Sequence, residues 1–139
     1  MEVINVDTKA ANTMLLSASA QPQPWVLYLT RSNEQILLSG DWMTDSLINA
    51  GQQLIQQAFP HVRGLQNVSL GHTLAFSVEQ GEFIQVMHNG HNHWVTVSTI
   101  GCGPAEVDIF GSLTPALTGS MKRQIAAILV AQQNAVTVR

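Results

Sequence analysis

Charge is scarce in this chain. Six lysines and arginines and nine acids are spread over 139 residues, for a formal net charge of −3. Lys122-Arg123 is the only adjacent basic pair, so there is no positive field to hold a phosphate backbone and nucleic acid is not the expected partner. One cysteine, Cys102, rules out an internal disulfide and fits a reducing compartment. No apolar run approaches the roughly 20 residues needed to cross a bilayer, so no membrane partner is expected. The segment Met1 to Asp7 is acidic and lacks a basic stretch followed by an apolar one, so no secretory signal is expected. The expected location is the cytoplasm or nucleus. Internal repeats, sustained heptads and a glycine-rich phosphate loop are also missing, and no cofactor is expected.

Apolar residues are plentiful, at 45% of the chain. With so little charge, the surface must be polar mainly through Gln, Asn, Ser and Thr. That balance predicts one folded domain with a sizeable core. Residues 1–24 are small and polar and end in Gln21-Pro22-Gln23-Pro24, which predicts a flexible arm with a short strand near Val3 to Val6. Residues 25–139 form the expected domain.

Along that domain, Trp25 to Leu29 reads as a strand, Arg31 to Glu34 as a turn and Ile36 to Leu38 as a brief return. A helix follows, capped by Thr44 or Asp41, with Leu47, Ile48, Gly51, Leu54, Ile55 and Ala58 on one face. Gln52, Gln53, Gln56 and Gln57 fall largely off that face, and Pro60 stops the helix. Gly64 to Leu74 reads as a short helix and a loop. Phe83 to Met87 and Trp94 to Ile100 form a hairpin with Asn89-Gly90 in its loop. A strand at Val107 to Phe110 comes next, then a helix from Ser120 to Gln133 with Met121, Ile125, Ile128 and Leu129 inside. Val136 to Val138 opens a further extended run, which suggests a fold continuing past Arg139.

Three groups could carry chemistry. His88, His91 and His93 invite a metal, since imidazole is the commonest zinc ligand. No acid or cysteine lies near enough in sequence to complete a standard set, so no metal ligand is assigned. His93 with Cys102 suggests a thiol-imidazole dyad. They stand nine residues apart, roughly 25 Å or more if the strand stays extended, so the cysteine reads as structural. Trp42-Met43-Thr44-Asp45 reads as a helix start, with an acid near the positive helix end.

Together these pieces resemble one family. Leu37-Leu38-Ser39-Gly40-Asp41-Trp42-Met43-Thr44-Asp45-Ser46-Leu47-Ile48-Asn49 is similar to the "Leu…Trp-Leu-Asn-Asp…Ile-Asn" segment of the ubiquitin-like-protein-specific cysteine proteases, the clan of the SUMO proteases and adenain. Phe59 to Gln66 and Asn89 to Cys102 resemble segments of its divergent animal members, which often look derived from mobile elements. The similarity runs from about Trp25 to Leu113 and continues more weakly. It implies an α+β, partial papain-like fold: an N-terminal helix, a short mixed sheet and a second helix. It maps the catalytic base onto His93, and onto Trp42 and Trp94 the tryptophans covering the channel for a Gly-Gly tail. Asp45 joins them as a substrate-binding position. The family's aspartate falls on Gly111, while its glutamine and nucleophilic cysteine would lie beyond Arg139. Asp108, by strand alternation, faces away from His93 and cannot replace the missing acid.

The expectation is therefore a catalytically incompetent binding relative, engaging a ubiquitin-like protein or partner polypeptide and forming a homodimer or hetero-oligomer. Two rivals stand beside it. One is a cysteine peptidase completed by a segment or chain beyond Arg139, and the other is a small histidine-based metal module.

Overall fold

The computed structural model describes residues 2–5, 29–111, 117–129 and 135–139. Among them six strands form one mixed sheet in the order β1-β6-β5-β4-β3-β2. The strands are β1 (Glu2–Asn5), β2 (Arg63–Gly64), β3 (Phe83–His88), β4 (Trp94–Ser98), β5 (Glu106–Phe110) and β6 (Ala135–Val138). The helices are α1 (Arg31–Ser39), α2 (Asp45–Ala58) and α3 (Gly119–Ile128), with a 3-10 helix at Val68–Thr73. The expected α+β class is what the chain adopts.

The centre is the β3–β4 hairpin, with Met87 opposite Val95 and His88 opposite Trp94. Alternation along these strands separates two faces. Phe83, Met87, Val95, Val97 and Val107 are buried on one face, against Met121, Ile125 and Ile128 of α3. The α3 residues recur at three- and four-residue steps, as the sequence predicts, and each buried side chain of this size contributes about 1.5–3 kcal/mol. On the other face Phe110 is 58% exposed. β5, α3 and β6 form a crossover unit, since β6 runs parallel to β5. β1 then adds antiparallel to β6.

Several expectations need correction. Arg31 to Glu34 and Ile36 to Leu38 are not turn and strand but one helix, α1. Thr30 caps it: its Oγ1 accepts from the Asn33 N–H at 3.2 Å, and Asn33 Oδ1 accepts from the Thr30 N–H at 3.0 Å. That reciprocal box satisfies two otherwise free donors. Gly40, at φ 74°, ends the helix in the left-handed region. Trp25 to Tyr28 of the expected strand and residues 6–24 of the arm lie outside the described residues. α3 leaves helical backbone at Leu129, where ψ is 141°, while residues 130–133 of its expected span lie outside the described residues.

α2 begins at Thr44, whose Oγ1 accepts from the Leu47 N–H. Its expected apolar face is only half used. Leu47 is buried and Ile48 and Gly51 are half-buried, but Leu54 is 55% and Ile55 41% exposed. The deeply buried residue of the helix is Gln52, contrary to the expected outward placement. Its Oε1 accepts from the Val86 N–H and from Gln85 Nε2, both at 3.1 Å, and its Nε2 donates to the Gln66 carbonyl at 2.7 Å. β2 pairs with β3 over only two residues, and this side chain takes up the ladder beyond it. Gln66 continues the network to Ser77 and Glu79.

Candidate functional site around the hairpin end

The β3–β4 loop is held from inside and from below. Asn89 Oδ1 accepts from the backbone N–H groups of His91, Asn92 and His93 at 2.8–3.1 Å. The Asn89 carbonyl accepts from Thr118 Oγ1 at 2.7 Å, and the His88 carbonyl accepts from Gln124 Nε2 at 2.8 Å. Both donors belong to α3, Thr118 as its N-cap and Gln124 from its middle. Gly90, at φ 87°, lies so close to α3 that a Cβ there would stand 2.8 Å from the Cβ of Ser120. The turn therefore needs glycine for conformation and for space. This docking fixes His93 and Trp94 at the start of β4.

Trp94 links the hairpin to the segment before α2. Its indole Nε1 donates to the Met43 carbonyl at 2.9 Å, across 51 positions of sequence. Trp42, next to that carbonyl, is 71% exposed. The other side of Trp94 meets His88 edge-on, with ring centroids 4.8 Å apart. The His88 ring is 6.2 Å from that of His72, and His72 Nε2 lies 3.2 Å from Asp45 Oδ2 at the start of α2. Asp45, His72, His88 and Trp94 thus form one connected row. Burial holds His88 below the usual imidazole range, neighbouring His72 adds to the effect, and Asp45 opposes it. Its Nδ1 accepts from the Gly90 N–H at 3.1 Å, which assigns the neutral ring's proton to Nε2.

His93 is half-buried, and its Nε2 is fully buried without a hydrogen-bond partner among the described residues. The β4–β5 register pairs Thr96 with Phe110. Extending it by one residue sets Gly111 opposite Val95, on the same face as His93 and one diagonal step away. A carboxylate at that position could approach the ring, but glycine offers none. Asp108 lies opposite Ser98, on the other face, and is held by Arg139 Nε at 3.3 Å. Cys102 sits past the far end of β4, where its Sγ donates to the Ser98 carbonyl. Burial and the Asp108 carboxylate push its thiol up, the opposite of what a nucleophilic thiolate requires.

The three loop histidines do not form a ligand set. Among the described residues no three His, Cys, Asp or Glu side chains converge as metal ligands. His91 points out at the loop, while His88 faces Trp94. Comparison with protein-family models, with curated proteins and with solved structures finds no match. Sequence reasoning placed Trp42, Asp45, His93 and Trp94 in one site, and the fold brings their segments together. It missed His72, the direct partner of Asp45. No short-range pattern marks His72, because its partner stands 27 positions earlier. Among the described residues no helix is long and apolar enough to cross a membrane.

Proposed function

We propose that this chain is a binding relative of the ubiquitin-like-specific cysteine proteases, with a partial papain-like fold in which Cys102 is not a nucleophile. The observation that carries the reading is the Trp94–Met43 hydrogen bond. It joins the Trp42–Asp45 segment to the His93–Trp94 strand start, the two segments that resemble the family's tail-binding channel. Exposed Trp42, one residue before the carbonyl that holds Trp94, offers an aromatic face on which a slender, glycine-ended peptide could lie. Cys102, at the wrong end of β4 and with its thiol pushed up, supports a role without covalent chemistry.

The test is titration of the full chain with ubiquitin-like modifiers, with and without their terminal Gly-Gly. The Trp94 indole N–H resonance should move with at least one intact modifier and not with its truncated form. Trp42→Ala should weaken that binding about tenfold, equivalent to roughly 1.4 kcal/mol. No movement of the Trp94 resonance at millimolar concentrations of any modifier would overturn the reading.

One observation favours a second reading, in which another polypeptide supplies the nucleophile. The buried Nε2 of His93, without a partner among the described residues, is what a general base without its partner would present. A ubiquitin-like vinyl-sulfone probe should then label a cysteine of that partner in the presence of this chain. Labelling should vanish with His93→Ala, and labelling that persists in that variant would exclude the role.

A further inference from the structure

His88 sits where four parts of the molecule meet. Its backbone carbonyl is held by Gln124 of α3, its ring rests on Trp94, His72 of the 3-10 helix lies beyond, and Gly90 of the loop donates to its Nδ1. The last contact has a chemical consequence. A neutral imidazole accepts at one nitrogen, but the imidazolium donates at both. Protonation of His88 must put a proton on Nδ1, where it faces the Gly90 N–H. Two donors then point at each other and the bond is lost.

Gly90 also lies against Ser120, so the lost bond, within the hairpin, is next to the contact between loop and helix. The protonated ring keeps attractions elsewhere. An imidazolium beside the indole gains cation–π attraction, and Asp45 pulls it toward α2. The ring is thus drawn away from the loop as it charges.

We propose that His88 is a proton-operated latch on the turn at Gly90: neutral, it accepts from the Gly90 N–H and closes that turn, and charged, it releases the Gly90 N–H while the bonds of Asn89, Thr118 and Gln124 keep the rest of the loop docked. The charged and titratable groups facing it are His72 and Asp45 from the neighbouring helices and His91 and His93 from its own hairpin. Because the folded protein holds this imidazole below its ordinary range, the unfolded chain binds the proton more readily than the folded one. The latch contribution is therefore complete above about pH 6.5 and is lost as pH falls through the lower folded value.

The experiment follows the Gly90 amide and the His88 ring together by NMR between about pH 7.5 and pH 5. The Gly90 resonance should titrate with the His88 midpoint. Its hydrogen-exchange protection, corrected for intrinsic rate, should fall about three- to tenfold, the equivalent of one neutral hydrogen bond. His88→Asn provides the decisive variant. An asparagine at this position can accept from the N–H two residues on, as in an Asx-turn, yet does not titrate. Gly90 in H88N should stay protected across the range. His72→Gln removes a neighbouring positive charge and should move the Gly90 midpoint upward. A Gly90 response that survives in H88N, or a wild-type His88 that titrates while Gly90 does not, would overturn the proposal.

Discussion

At position 52 a glutamine side chain does what a backbone would otherwise do. Its carbonyl receives the Val86 N–H and its amide reaches the Gln66 carbonyl, so three segments are tied by an uncharged group that is only 2% exposed. Replacing Gln52 by alanine leaves the Val86 N–H and one Gln85 amide bond without an acceptor in a dry place. The expected loss is about 2–3 kcal/mol, read as a lower urea midpoint at unchanged slope. Gln57→Ala, on the exposed side of the same helix, should stay within about 0.5 kcal/mol. Nothing local separates these two glutamines in the sequence. Periodicity sorts apolar from polar positions, but a buried glutamine is recognised only once its distant partners are known.

Among the elements, those whose information is local were legible. The β3–β4 hairpin follows from alternating apolar residues and Asn-Gly between them, and α3 from Met121, Ile125 and Ile128 at helical spacing. α1 was misread for an identifiable reason. Ser32 and Asn33 are frequent turn formers, yet Asn33 three residues after Thr30 makes a capping box, and Gly40 marks the end. Those two punctuation marks outweigh the intrinsic preference of the residues between them. The case of α2 is different. Its apolar stripe is present as expected, but a stripe says only that a face is apolar and not that anything in the same chain covers it. The site divides the same way. Trp42, Asp45, His93 and Trp94 carry a recognisable order, while the Asp45–His72 pair and the orphaned His93 nitrogen exist only in three dimensions.

At the scale of the whole molecule, several large apolar side chains of the described residues are left outside the core, with Leu38 of α1 at 80% and Trp42 at 71% the most exposed. The end of α2 shows Leu54, Ile55 and Phe59, and the sheet face away from α3 shows Phe110. Where such side chains adjoin, apolar surface tends to be covered by a partner. We expect the protein to associate, as a homodimer or with a second chain. Sedimentation and light scattering on purified protein should find a species heavier than one chain, or a monomer that binds an apolar dye strongly. A monodisperse monomer that binds none would refute the expectation.

The manner of such association is already constrained by the way Gln52 finishes the ladder on β3. An unpaired strand edge is a template on which a stranger's backbone can add, and it opens a route from a folded sheet to uncontrolled aggregation. Here the open stretch beyond the two residues of β2 is occupied by a side chain from the protein's own helix. An incoming strand would have to evict a buried amide before its first hydrogen bond there could form. Growth at that margin is discouraged from within, which leaves the opposite edge at β1 and the molecule's faces as the places where a partner can add.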